Sequence, residues 1–260
     1  MENNTGAFQH QVNKAELPVC PILGVQIAAI DMPWLLNFTA ENLEKLSGDY
    51  ICVANVHTTV TAYNDPSYME VQNGGILAIP DGGPLSTTGR HRGYRNMRRV
   101  TGPDFMQEAI SMGLDKGWRH YFYGSTPETL KKMEANLRTR YPEIQIAGTY
   151  SPPFRPLTTE EDREVEARIA QAAPDFVWVG LGAPKQEIWM RNHQGKVQGL
   201  MVGVGAAFDY AAENIYRAPN WMQKHNLEWF YRLIQDPKRL FRRYLYSNTL
   251  YLIEADLRGK

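Results

Sequence analysis

The chain has 260 residues, enough for one large domain or for one domain with an appendage. With 43% hydrophobic and 22% charged residues, 21 glycines and 16 prolines, it reads as a soluble globular protein with a full core, which excludes a disordered or fibrous chain. Lys+Arg and Asp+Glu both number 28, so no overall field draws it to nucleic acid or membrane, yet residues 221–260 carry a net +4 and the first 220 a net −4.

In chain order, residues 1–16 are polar, lack the apolar core of a signal peptide and read as a flexible, loosely attached terminus. Residues 17–36 are interrupted by Pro18, Pro21, Gln26, Asp31 and Pro33, too often to span a bilayer, and a cytoplasmic protein is the default. From there short β-rich runs (25–30, 50–54, 76–80, 120–123, 144–147, 176–179 and 200–204) alternate with helical stretches such as 66–71, 104–112, 128–140 and 160–172. Strands apolar on both faces and separated by helices predict an α/β fold with a largely parallel sheet over 17–219. Cys20 and Cys52 are too few for a disulfide framework or a four-cysteine zinc site, and read as buried small hydrophobes. Beyond Pro219 the strand signal ends. Residues 220–260 are aromatic-rich and helical, with Asp236-Pro237 marking a helix start, so they form a basic helical appendage.

Ligands of open parallel sheets bind at the carboxyl ends of the strands. Four strands here run into loops of special composition: Pro80-Asp81-Gly82-Gly83, Gly124-Ser125-Thr126, Gly180-Leu181-Gly182-Ala183-Pro184-Lys185-Gln186 and Gly203-Val204-Gly205-Ala206. Glycines admit close backbone approach and helix N-termini offer N–H groups to anions, so together the loops point to a nucleotide or phosphorylated ligand. Neither double-glycine loop completes GxGxxG, no GxxxxGK[ST] or DxD occurs, and the six histidines show no HxH or HxxxH spacing, so neither a metal nor a cofactor is expected. Without a metal, cationic side chains and helix dipoles must stabilise a departing diphosphate. Asp81, held between Pro80 and two glycines, either takes a proton from an attacking hydroxyl or caps the next turn. Asn55 at another strand end either orients substrate or closes a turn, and His57 reads as a structural histidine. Arg232, Arg239, Arg242 and Arg243 lie on one side of a helical path beside an apolar stripe. That pattern suits an anionic membrane surface or a diphosphate, or a solvated helix face packed on the body; nucleic acid is the poorer reading.

The string GLGAPKQE (180–187), then GVGAAFD (203–209), then RAPNWMQKHNLEWFYRLIQDPKRLFRRYL (217–245) resembles the WecG/TagA/CpsF glycosyltransferase family. IPDGGP (79–84), RRVTGPDFM (98–106) and FYGSTPE (122–128) resemble its other blocks in the same order. The resemblance implies a Rossmann-like body whose helical C-terminal appendage docks on the membrane and completes the active site. It implies an inverting, metal-independent transfer of a sugar from a UDP-sugar to a polyprenyl-diphosphate-linked sugar, on the cytoplasmic face of the membrane, for surface polysaccharide synthesis. By the same resemblance Asp81 is the general base, Arg99 lies near the diphosphate, and Asn55, Lys185, Gln186 and Asp209 line the donor site. Arg232, Arg239 and Arg242 reach the leaving phosphates or the lipid diphosphate. Val53 stands where members with a TLN strand end carry threonine, so a role given to that threonine does not transfer. The alternatives are another UDP-sugar-modifying Rossmann-like enzyme and a non-catalytic, membrane-associated partner in a polysaccharide assembly complex. Exposed aromatics in the tail would serve either a membrane or a homo-oligomeric interface.

Overall fold

A computed structural model describes residues 8–225 and 227–260, without the side chains of Asn220, Lys224 and Arg239. In chain order, β1 (Val19–Ile22) and β2 (Val25–Ala28) form a hairpin, followed by α1 (Met32–Asn42), β3 (Tyr50–Ala54), α2 (Val56–Asn64), α3 (Pro66–Gly74), β4 (Leu77–Pro80), α4 (Gly83–His91) and α5 (Gly102–Gly113). Then come β5 (Arg119–Gly124), α6 (Pro127–Arg140), β6 (Gln145–Tyr150), α7 (Thr159–Ala172), β7 (Phe176–Gly180), α8 (Lys185–Asn192), β8 (Leu200–Gly203) and α9 (Ala207–Ala211). The tail consists of α10 (Asn220–Lys224), α11 (Glu228–Gln235), α12 (Pro237–Tyr251) and a π-helical turn, Leu252–Leu257.

The strands make one sheet in the order β1-β2-β4-β3-β8-β7-β5-β6, parallel except for the β1/β2 hairpin. Alternation divides the core into two layers, as a sheet covered on both faces requires. Ile51, Val53, Phe176 and Trp178 face α1, α5 and α6 (Leu35, Phe105, Met133). Tyr50, Cys52, Val177 and Val179 face α2, α3, α7 and α8 (Val60, Tyr68, Ile169, Met190). Cys20 and Cys52 are free and buried in the second layer.

β1 is the strand that the sequence concealed. Pro18 and Pro21 make residues 17–22 read as broken, yet β1 is the sheet edge, where the missing N–H of Pro21 costs no ladder bond. Within the segment expected to be loosely attached, Lys14 donates to the carbonyls of Asn73 and Gly75, and His10 sits 2.5 Å from Asp49. No helix among the described residues is long and apolar enough to cross a membrane.

The tail returns to the body at its far end. Tyr251 and Ala255 are buried in the second core layer, and the Tyr251 hydroxyl donates to Thr88 (2.9 Å). Arg92 donates to the carbonyls of Ala255 and Lys260, each at 2.7 Å. At its near end Arg217 grips Asp104 of α5 through two N–H···O contacts of 2.5 and 3.3 Å.

Candidate active site

The carboxyl ends of β3, β4, β7 and β8 and the inner side of α11 and α12 enclose a cavity of about 1460 Å³. It brings together Asn55, Asp81, Arg99, Gly180, Gly182, Lys185, Gln186, Gly205, Asp209, Arg232 and Arg243.

Asp81 follows β4 directly, and its amide donates to Ala54 (2.7 Å) and Ile79 (3.1 Å), which fixes the residue between two strand ends. Gly82, at φ 121°, takes the cap position of α4 with no side-chain capping bond. The carboxylate of Asp81 therefore does not cap the helix, and among the described residues no hydrogen bond or ion pair reaches it. Burial pushes its pKa up to about 6; Arg99 and Arg232 pull the other way, and Glu228 and Asp104 add to the rise.

The cations are arranged around acids from neighbouring elements. Arg99 donates to Glu228 of α11 and, at 3.4 Å, to the Gln223 carbonyl. Arg217 spans Asp104 and Glu228, the latter at 3.6 Å. Burial works against the ionised Asp104, but hydrogen bonds from Arg217 and Thr101 hold its pKa below the usual value. Arg232 donates from Nε to the Tyr210 hydroxyl at 2.8 Å, and the guanidinium groups of Arg217 and Arg232 lie 5.7 and 5.4 Å from that ring's centre. Arg243 lines the cavity near His57, whose pKa burial and then Arg243 push down to about 4. His57 is thus neutral at pH 7, and its Nδ1 lies 3.3 Å from the Ser247 hydroxyl of α12.

Gln186 has a different task from the one its motif suggests. It is 4% exposed, and its amide oxygen accepts from the backbone N–H of both Gly182 and Gly205, each at 3.1 Å. Its amide nitrogen donates to the fully buried Glu187, whose other oxygen accepts from Tyr68. One side chain thereby ties the β7 loop to the β8 loop. Asn55 is a helix cap as well as a cavity residue: its side chain accepts from the amides of His57 (3.0 Å) and Thr58 (3.2 Å).

Two expected residues lie elsewhere. Gly124 does not line the cavity; it pairs with Gly180 in the sheet at φ 124°, and a Cβ there would come within 2.6 Å of the Gly180 backbone. Its neighbour Ser125 lines the cavity instead. Arg242 is exposed on α12 and turned away, because only positions such as Arg243, Tyr244 and Ser247 share the inner face. Arg239 lies outside the described side chains. Sequence reasoning missed Glu228, Arg217 and Asp104: an ion-pair chain joining three separate elements leaves no periodic signal.

Residues 20–259 match the glycosyl transferase WecG/TagA/CpsF family. The N-acetylglucosaminyldiphosphoundecaprenol N-acetyl-beta-D-mannosaminyltransferase of Bacillus subtilis (strain 168) is 33% identical over 76% of this chain and 75% of its own. The enzymes of the same name from Bacillus spizizenii (31% identical, covering 76% and 75%) and Staphylococcus aureus strain MW2 (29% identical, covering 74% and 74%) are also similar. A match over nearly the full length, on a sheet whose strand ends gather these motifs into one cavity, makes the chain a member of the WecG/TagA/CpsF family of glycosyl transferases.

Proposed function

We propose that the protein transfers a hexose or N-acetylhexosamine from a UDP-sugar to a polyprenyl-diphosphate-linked sugar at the membrane surface, for surface polysaccharide synthesis, with inversion and without a catalytic metal. The relatives are named for an acceptor of that chemistry, a sugar on diphosphoundecaprenol, and for transfer of an N-acetylhexosamine. The observation that carries the reading is the unpartnered carboxylate of Asp81, with its pKa near 6, among guanidinium groups in a large cavity. A base with a pKa close to the working pH is ionised often enough to act and still binds the proton it removes.

In this mechanism the acceptor hydroxyl loses its proton to Asp81 and attacks the anomeric carbon from the face opposite UDP. Negative charge grows on the departing diphosphate and is met by Arg99, Arg232 and Arg243, already positioned in the cavity. The glycine loops, held together by Gln186, carry the nucleotide. Peripheral docking is supported by the outer side of α10–α12, where Trp221, Phe230, Ile234, Phe241, Leu245 and Tyr246 are exposed beside the basic Lys238 and Arg242.

The test is a panel of UDP-sugars with a short-chain polyprenyl-diphosphate-sugar acceptor in EDTA, following UDP release and lipid-product mass. Acceptor-dependent release with one donor is expected. UDP binding without release from any donor–acceptor pair would overturn the transfer reading.

A further inference from the structure

Away from the cavity, α7 and the end of α8 bring three ligating side chains together. Asp162 and Glu166 are one helical turn apart on α7 and so share a face. His193 caps the C-terminal end of α8 and is 2% exposed. Its Nδ1 lies 2.8 Å from the Trp189 carbonyl oxygen. A carbonyl only accepts, so in the neutral ring Nδ1 carries the proton and Nε2 presents a bare lone pair. That Nε2 is buried and makes no hydrogen bond, although it stands 3.2 Å from Asp162 Oδ1 and 3.8 Å from Glu166 Oε1.

The ring is held in this orientation. It stacks on Trp189 with centroids 4.1 Å apart, and Trp189 stacks in turn on Tyr123 at 4.2 Å. The three donor atoms lie within 4.8 Å of one another. Three lone-pair donors converging on one point repel unless a positive charge sits between them.

We propose that Asp162, Glu166 and His193 bind a divalent first-row transition cation of the zinc class, which fastens α7 to the end of α8. The imidazole nitrogen favours this class over magnesium or calcium, which take all-oxygen sets. The Nδ1–H bond to a backbone carbonyl is the usual support for a ligating histidine. Asp162 and Glu166 are 38% and 26% exposed, so water reaches the remaining coordination position. None of the three lines the cavity, so the cation is structural, and the proposal does not depend on the glycosyl-transfer reading. The sequence concealed it because the ligands come from two helices rather than from one HxxxH repeat.

The test uses the full chain stripped with a chelator, re-exposed to Zn2+ and desalted, with metal content and thermal melting as readouts. The comparison variant is Asp162→Asn with Glu166→Gln, which keeps side-chain size at partly exposed positions. The wild type is expected to retain one Zn2+ per chain and to melt higher with Zn2+ than without. The double variant is expected to bind more than about 100-fold more weakly, beyond the roughly 10–100-fold lost with a ligand's supporting partner, and its melting should not respond to Zn2+. No retention by the wild type overturns the proposal. So does equal retention by the double variant.

Discussion

At the scale of single residues, Asp81 links activity to stability. In the proposed base role it must be ionised, so turnover should climb as pH rises through about 6 and then level off. The folded-state pKa is raised, so between the usual 3.8 and about 6 the folded chain holds a proton that the unfolded chain has lost. The ionised carboxylate therefore destabilises the fold above that window, and the penalty is relieved as pH falls through it. Asp81→Asn should abolish turnover yet be more stable than wild type at pH 8, by up to roughly 3 kcal/mol, with the gap shrinking near pH 4. A flat pH profile, or a variant that melts lower at every pH, would remove this account. Gln186→Ala strands two backbone N–H groups and one carboxylate; at roughly 1–3 kcal/mol per unsatisfied buried group its melting temperature should fall clearly. Its KM for the donor should rise as the two glycine loops separate. Normal melting with only KM altered would make Gln186 a substrate contact and not a clasp.

Among the elements, α11 and α12 have two faces, one lining the cavity and one turned to solvent. Phe241 and Leu245 are 57% and 59% exposed on the outer side, while Arg243, Tyr244 and Ser247 line the cavity. Phe241→Ser with Leu245→Ser should leave the fold intact and weaken binding to anionic liposomes by on the order of 100-fold or more, since each side chain that the bilayer buries contributes roughly 1.5–3 kcal/mol. UDP binding should not change; liposome binding equal to wild type would return the face to ordinary solvent exposure. On the inner side, Glu228 neutralises Arg99 and raises the pKa of Asp81. Glu228→Gln should strengthen UDP binding and shift the rising limb of the pH–rate profile to lower pH. Weaker UDP binding in this variant would show that the carboxylate positions Arg99 more than it competes for it.

The fold of the whole molecule was largely legible, for a physical reason. Strands buried on both faces, such as residues 50–54 and 176–179, are continuous apolar runs, and their glycine-rich ends expose where a ligand sits. Edge elements were harder to read. β1 carries Pro21, which a central strand would not tolerate, and α2 and α4 are nine-residue helices whose threonines and glycines are poor helix formers. For the site, motif position located Asp81, Asn55 and the double-glycine loops. It could not show which way Arg242 and Arg243 face, because neighbouring helix positions point about 100° apart and only packing selects one. Nor could it show that Gln186 spends its oxygen on the backbone, or that Arg99 and Arg217 share Glu228, since such pairs exist only once distant segments meet.

The tail is fastened before α10 by Arg217 on Asp104 and at the end of α12 by Tyr251 on Thr88. Between these ends Glu228 on Arg99, Arg232 on Tyr210 and Ser247 beside His57 tie α11 and α12 to the body as well, so the tail is a seam and not a hinged lid, with no single pivot about which to swing open. In the proposed reaction a lipid-borne acceptor therefore enters the cavity with the tail in place, and the lengthened product leaves the same way. Successive turnovers then need no unfastening of the tail, so its opening rate sets no ceiling on the cycle.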